Sequence, residues 1–264
     1  METNKNRYDT EFYQRNRDDK KIDSVKTVLN EAIKYLPEIQ SAVDFGCGVG
    51  TWLAGLQNLG VSEIKGFDGA WVNQELLVIP KDCFEKIDFD KGVKLDKKYD
   101  LAVSIEVAEH LLEKSAKGFI KSITDASDII LFSAAIPYQG GDNHVNEQWP
   151  EYWNRLFNEN GFIAVDCLRK RLWNKMEVFD FHRQNIMIYV KKNRLSDIKA
   201  PEGDFCIDYA PMAIVDHERY LRMISNDLSQ MSFFKIFINA NKWMIVNILG
   251  KKFSKKIYYK YFKK

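Results

Sequence analysis

Two glutamates and a histidine fall within barely more than one helical turn in the stretch EVAEHL, residues 106–111. At 100° per residue, Glu106, Glu109 and His110 would share an arc about 100° wide if the segment is helical. Carboxylate oxygens with an imidazole are ligand types that hold Mg2+, Mn2+ or another borderline divalent ion. The same residues also suit the first turn of an ordinary surface helix, where the macrodipole favours glutamate. A second polar cluster favours the chemical reading. The segment PYQGGDNHVNEQWPEYWNRLF sets His144, Asn146, Glu147 and Gln148 between Gly140–Gly141 and Trp149–Pro150. A lone histidine is usually structural, but one in such a glycine-flanked loop is a candidate for chemistry.

These residues need a scaffold. Short apolar runs recur along the chain: SAVDFG, EIKGFD, CFEKIDF, YDLAVSI, DIILFSAAI, FIAVDCL and NIMIYV. Helical patterns alternate with them at 50–59, 107–124 and 149–160, the last ended by Gly161. A further helix over 22–36 is predicted from Ile22, Val25, Val28, Leu29, Ala32, Ile33 and Leu36. Strands alternating with helices imply βαβ units, hence an α/β, doubly wound, mostly parallel sheet of seven strands. Ligands in such sheets lie beyond the carboxyl ends of the strands. YDLAVSI runs into Glu106 at such an end.

The first strand runs into GCGVG and then a helix opening at Thr51. Gly46, Gly48 and Gly50 let the backbone come close to a ligand where a Cβ would clash. Asp68, at the end of the next strand, can accept both hydroxyls of a ribose. The dinucleotide fingerprint G-x-G-x-x-G would need glycine at 51 or 53, where Thr51 and Leu53 stand, so a nicotinamide oxidoreductase is disfavoured.

What stands instead, D-x-G-x-G-x-G over Asp44 to Gly50, resembles motif I of class I S-adenosylmethionine (SAM)-dependent methyltransferases. The resemblance implies that Asp44, Gly46, Gly48 and Gly50 face the methionine part of SAM and that Asp68 takes its ribose. It implies that Asp88 and Phe89, in IDFD, hold the adenine, and that the fourth strand ends under the transferable methyl. Tyr8 and Tyr13 would belong to an N-terminal flap over SAM. EVAEHL with a later histidine resembles the E-x-x-E-H…H metal site of small-RNA 3′-terminal 2′-O-methyltransferases. E-x-x-E-H also resembles the metal-dependent O-methyltransferases of ubiquinone synthesis. On that likeness Glu106, Glu109, His110 and His144 are the metal ligands, with Glu106, His110 and His144 also the catalytic set.

A closer resemblance covers roughly residues 8–192. YDTEFYQ, VDFGCGVGTWL, SIEVAEHL, LFSAAIPYQGGDNHVNEQWPEYW and RQNIMIYV are similar to a bacterial methyltransferase family associated with gene clusters for capsule, lipopolysaccharide and modified sugars. It implies O-methylation of a sugar, polyol or related hydroxyl compound, phosphate- or nucleotide-linked forms included. The departure is VFDFHRQN, where His182 stands in place of an aromatic. Arg169, Arg171 and Arg183 could receive a phosphate or carboxylate, or be surface charges. The alternatives are an RNA-terminal 2′-O-methyltransferase, a metal-free small-molecule N- or O-methyltransferase, and a non-enzymatic SAM-binding protein.

The 264 residues, 45% hydrophobic, suffice for one large core with additions, and the net charge of +2 favours no partner. Its distribution says more. The last fourteen residues, KKFSKKIYYKYFKK, hold seven lysines and no acid, so the body before them is acidic, which argues against tracking nucleic-acid phosphates. Cys47, Cys83, Cys167 and Cys206 form no CxxC pair, which suits a reducing cytosol. No signal peptide is evident, and MSFFKIFINANKWMIVNILG is too broken by Lys235, Lys242 and asparagines for a span, so a soluble cytoplasmic protein is expected. The chain is expected to divide into a flap and helix (1–40), a methyltransferase core (41–192), and a helical extension with a basic tail (193–264). Leu221, Ile224, Leu228 and Met231 fall on one helical face there. That extension can pack on the body, pair with a second copy as a homodimer, or lie on an anionic membrane.

Overall fold

The computed structural model describes residues 19–93 and 95–230. Tyr8, Tyr13, Met231 and the lysine–aromatic tail lie outside these.

Seven strands form at the seven apolar runs: β1 Ser41–Phe45, β2 Glu63–Asp68, β3 Phe84–Lys86, β4 Leu101–Ile105, β5 Ile129–Ser133, β6 Phe162–Val165 and β7 Met187–Lys191. An eighth, β8 Phe205–Cys206, pairs with β6. The sheet order is β3-β2-β1-β4-β5-β7-β6-β8, parallel from β3 to β5 and antiparallel beyond. This is the α/β, doubly wound, mostly parallel sheet predicted from the sequence, with one more strand. The strand order reverses between β1 and β4, and such a switch point opens a crevice at the strands' carboxyl ends. The glycine loop follows β1, and Glu106 follows β4.

Helices cover both faces: α1 Asp19–Ala32, α2 Thr51–Asn58, α3 Glu113–Ala126, α4 Pro150–Glu159, and the short α5 Arg169–Leu172 and α6 Asp180–Asn185. Alternation along each strand feeds two cores. Leu101, Val103, Ile129 and Leu131 pack with Val25, Leu29, Leu53 and Leu56 on one face. Ala102, Ile130 and Phe132 pack with Phe119, Ile120, Trp153 and Phe157 on the other. With both faces covered, the strands read as continuous apolar runs. The stripe on α1 is narrower than predicted: Val25, Val28, Leu29 and Ala32 are buried, while Ile22 and Ile33 are exposed.

His182 closes the junction of α1, α2 and α6. Its Nδ1 lies 3.1 Å from Ser24 Oγ, and its ring stands edge-on to Trp52 and Phe181. Burial pushes its pKa down to about 3, with Lys21 adding to the effect. The unfolded chain therefore takes up this proton first as pH falls. The stability from neutral His182 is complete above about 6.5 and is lost towards 3, by roughly 1.4 kcal/mol per pH unit. Denaturant melts between pH 7 and 5 are expected to show a shallower loss for His182→Phe than for the wild type. Parallel curves would show that His182 is not the group responsible.

The compact body runs to Asp216, and the residues from His217 form a second unit, within which α7 spans His217–Gln230. Among the described residues no helix is long and apolar enough to cross a membrane.

Candidate active site

The β1–α2 loop is built around glycine. Gly46 and Gly48 have φ of 88° and 55°, the left-handed region that glycine tolerates. A Cβ on Gly46 would lie 2.3 Å from Val107, whereas one on Gly48 would meet nothing within 4 Å. Gly46 is therefore fixed by close packing, and Gly48 borders open space. Asp68 joins loop to strand: one oxygen accepts the Gly48 N–H at 2.7 Å and the other that of Gly69 at 2.6 Å. Burial lifts its pKa to about 6, against the hydrogen bonds from Gly48, Gly69 and Trp71. Asp44 is buried too, and its Oδ2 has no hydrogen-bond partner. Burial and then the neighbouring Asp68 push its pKa well up, opposed by Lys21.

Open space at Gly48, an unpartnered buried carboxylate oxygen and a carboxylate at the β2 end fit a ligand that brings hydroxyl and ammonium donors. SAM has both. Asp88 is exposed, whereas the Phe89 ring is buried against Phe45 and Phe119. The Phe89 side chain thus belongs to the core.

EVAEHL is not one helical turn. Glu106 has a φ of 55°, and its N–H bonds to the carbonyl of Ser133 at 3.0 Å. A short 3-10 turn, Ala108–His110, follows, and α3 begins only at Glu113, against the predicted helix over 107–124. The β5–α4 loop straps onto this turn, with the N–H groups of Val145 and Asn146 donating to the Glu109 carbonyl at 2.9 and 3.0 Å.

The result gathers Glu109, His110 and His144, whose ligand atoms all lie within 4.8 Å of one another. Glu109 is fully buried, and neither carboxylate oxygen has a hydrogen-bond partner; nor has His110 Nδ1. Burial, and secondarily Glu106, hold the Glu109 carboxyl well above the usual range. Burial and the neighbouring His144 push His110 down to about 4. Two buried Glu109 oxygens without a hydrogen bond, beside two imidazoles, fit a divalent cation.

Glu106 stands outside that group. Its left-handed backbone turns the side chain into an amide clamp, Gln139 Nε2 donating at 2.6 Å and Asn185 Nδ2 at 3.1 Å. Asn185 also donates to Gln139 Oε1 at 2.8 Å, and Gln184 donates to Asn185 Oδ1 at 2.9 Å. Asn185→Ala is expected to lower turnover about 100-fold by releasing Glu106, and to lower stability by roughly 1–3 kcal/mol. Wild-type turnover in a folded Asn185→Ala protein would show that the clamp does not matter.

A methyltransferase-domain family profile matches residues 13–167. The chain belongs to that family. No curated protein matches this methyltransferase. Solved structures do. Magnesium protoporphyrin IX methyltransferase of Synechocystis PCC 6803 with bound SAM is 20% identical at a TM-score of 0.46, over 70% of this chain and 86% of its own. A SAM-dependent methyltransferase of Archaeoglobus fulgidus is 19% identical at 0.49, over 70% and 100%. A complex of the Haloferax volcanii Trm112 methyltransferase activator with a methyltransferase matches at 14% and 0.50, over 69% and 94%. At these identities the likeness is one of fold.

Several residues of the methyltransferase were not legible as site residues. Lys21, on α1, lies close enough to Asp44 and Glu106 for both to oppose the burial that lowers its own pKa to about 8. Gln139, in the β5–α4 loop, and Asn185, the last residue of α6, hold Glu106. The three arginines that could receive a phosphate are paired instead, Arg169 with Asp166, Arg171 with Asp204 and Arg183 with Asp216. Arg169 and Arg183 are buried structural cations.

Proposed function

We propose that this protein is a SAM-dependent O-methyltransferase assisted by a divalent cation, Mg2+ or Mn2+. Its acceptor would be a hydroxyl of a sugar, polyol or related phosphate- or nucleotide-linked precursor of a bacterial surface glycan. The observation that carries the reading is the grouping of Glu109, His110 and His144, with both Glu109 oxygens buried and without a hydrogen bond. An aliphatic hydroxyl has a pKa of about 16, like water, so a neutral side-chain base is poorly matched to it. A divalent ion bound there would lower that pKa and fix the oxygen. Glu109, His110 and His144 would hold the ion. Asp44 and the glycine loop would face the amino acid end of SAM, with Asp68 on the ribose and Asp88 and the Phe89 backbone at the adenine. Tyr13, proposed to cover SAM, lies outside the described residues. Glu106, held by Gln139 and Asn185, would line the acceptor side. The acceptor class rests on the sequence resemblance, with HVNEQWPEYW as its most specific part.

The test is a screen of nucleotide sugars, phosphorylated polyols and a 3′-terminal RNA against labelled SAM, with Mn2+ or EDTA. Methylation of a sugar or polyol, abolished by EDTA, is expected. Methylation of the RNA alone would replace the acceptor, and full activity in EDTA would remove the metal.

A further inference from the structure

The β5–α4 loop carries an acid that the function above leaves unused. Glu147 Oε2 accepts the Tyr138 N–H at 2.7 Å, Oε1 accepts the Gly140 N–H at 2.8 Å, and His144 Nδ1 lies 2.9 Å from the same Oε1. One carboxylate thus fixes both the loop and the ring. The loop is strained: Tyr138 and Asn143 have φ of 67° and 62° without being glycine, beside Gly140 at 70°. Such conformations persist only where surrounding contacts over-determine them. Gly141 completes the seat, because a Cβ there would lie 2.3 Å from His144 Nε2.

We propose that Glu147 is a positioning residue: it holds His144 with the proton on Nδ1, so that the Nε2 lone pair faces Glu109 and His110. Both Glu147 oxygens already act as acceptors for backbone N–H groups, so the ring must be the donor in the third contact. That leaves Nε2, which lies 4.0 Å from Glu109 Oε1, as the basic nitrogen. The His144 ring also stands edge-on to His110, with centroids 4.8 Å apart. A carboxylate behind a histidine sets which ring nitrogen can bind a cation or take a proton. The inference rests on the proposed role of His144 as a ligand, but the tautomer can be read without any metal.

The experiment is nitrogen-15 NMR of histidine-labelled, metal-free protein at alkaline pH, the His144 signals assigned by their loss in His144→Ala. The wild type is expected to show Nδ1–H, Glu147→Ala to shift towards Nε2–H, and Glu147→Gln, which keeps one carbonyl acceptor, to retain Nδ1–H. Calorimetric titration with Mn2+ is expected to show affinity falling about 10- to 100-fold in Glu147→Ala and less in Glu147→Gln. An Nε2–H tautomer in the wild type overturns the proposal whatever the variants do. So does a folded Glu147→Ala protein with wild-type tautomer and affinity. A wild type that shows Nδ1–H yet binds no Mn2+ supports the role of Glu147 and overturns the metal reading instead.

Discussion

Glu109→Gln is expected to lower methyl transfer by about 1,000-fold or more while leaving the metal-free fold at least as stable as the wild type. The two effects have one cause. The Glu109 carboxylate is fully buried, with no hydrogen-bond partner on either oxygen, and burial holds its carboxyl well above the usual range. A group in that state destabilises the empty protein, by roughly 1–3 kcal/mol for an unsatisfied buried polar group. The amide removes the charge at nearly the same volume. An ion among Glu109, His110 and His144 would lose its anionic ligand, and several kcal/mol of stabilisation with it, which is at least three powers of ten in rate. Thermal melts in chelator beside transfer assays in Mn2+ check both halves. A variant that is less stable and still active would place Glu109 among ordinary structural acids.

Asp68→Ala is expected to weaken SAM binding by about 100-fold or more. This carboxylate accepts the N–H groups of Gly48 and Gly69, and so sets the loop before any ligand arrives. Truncating one partner of a buried, hydrogen-bonded charged contact typically costs 2–5 kcal/mol, and each 1.4 kcal/mol is a factor of ten. Asp68→Asn, which keeps one acceptor oxygen, is expected to fall between Asp68→Ala and the wild type. Calorimetry with SAM reads the series, and NAD is expected to bind none of the three proteins. Equal SAM affinity in Asp68→Ala would put the ribose elsewhere.

The scaffold was legible because its signals are local. β1, β4 and β5 are buried on both faces and show as apolar runs, and glycines mark the loop after β1. β8, two residues long, has no such signature. The predicted helix over 107–124 failed at its start, where no glycine or proline announces the turn. The left-handed Glu106 is held by Ser133, Gln139 and Asn185, and that restraint exists only once β5 and β7 lie side by side. For the same reason the local sequence of EVAEHL does not show which partners each of its side chains meets. Glu109 and His110 face His144, while Glu106 turns to the amides. Arg171 and Arg183 misled because their partners, Asp204 and Asp216, are distant in sequence.

The most direct measurement is calorimetric titration of Mn2+ into the SAM-loaded protein, compared with Glu109→Gln and His144→Ala. One ion per chain in the wild type, lost or greatly weakened in both variants, is the expected result. No binding to the wild type, or equal binding in all three, would contradict a metal centre at Glu109, His110 and His144.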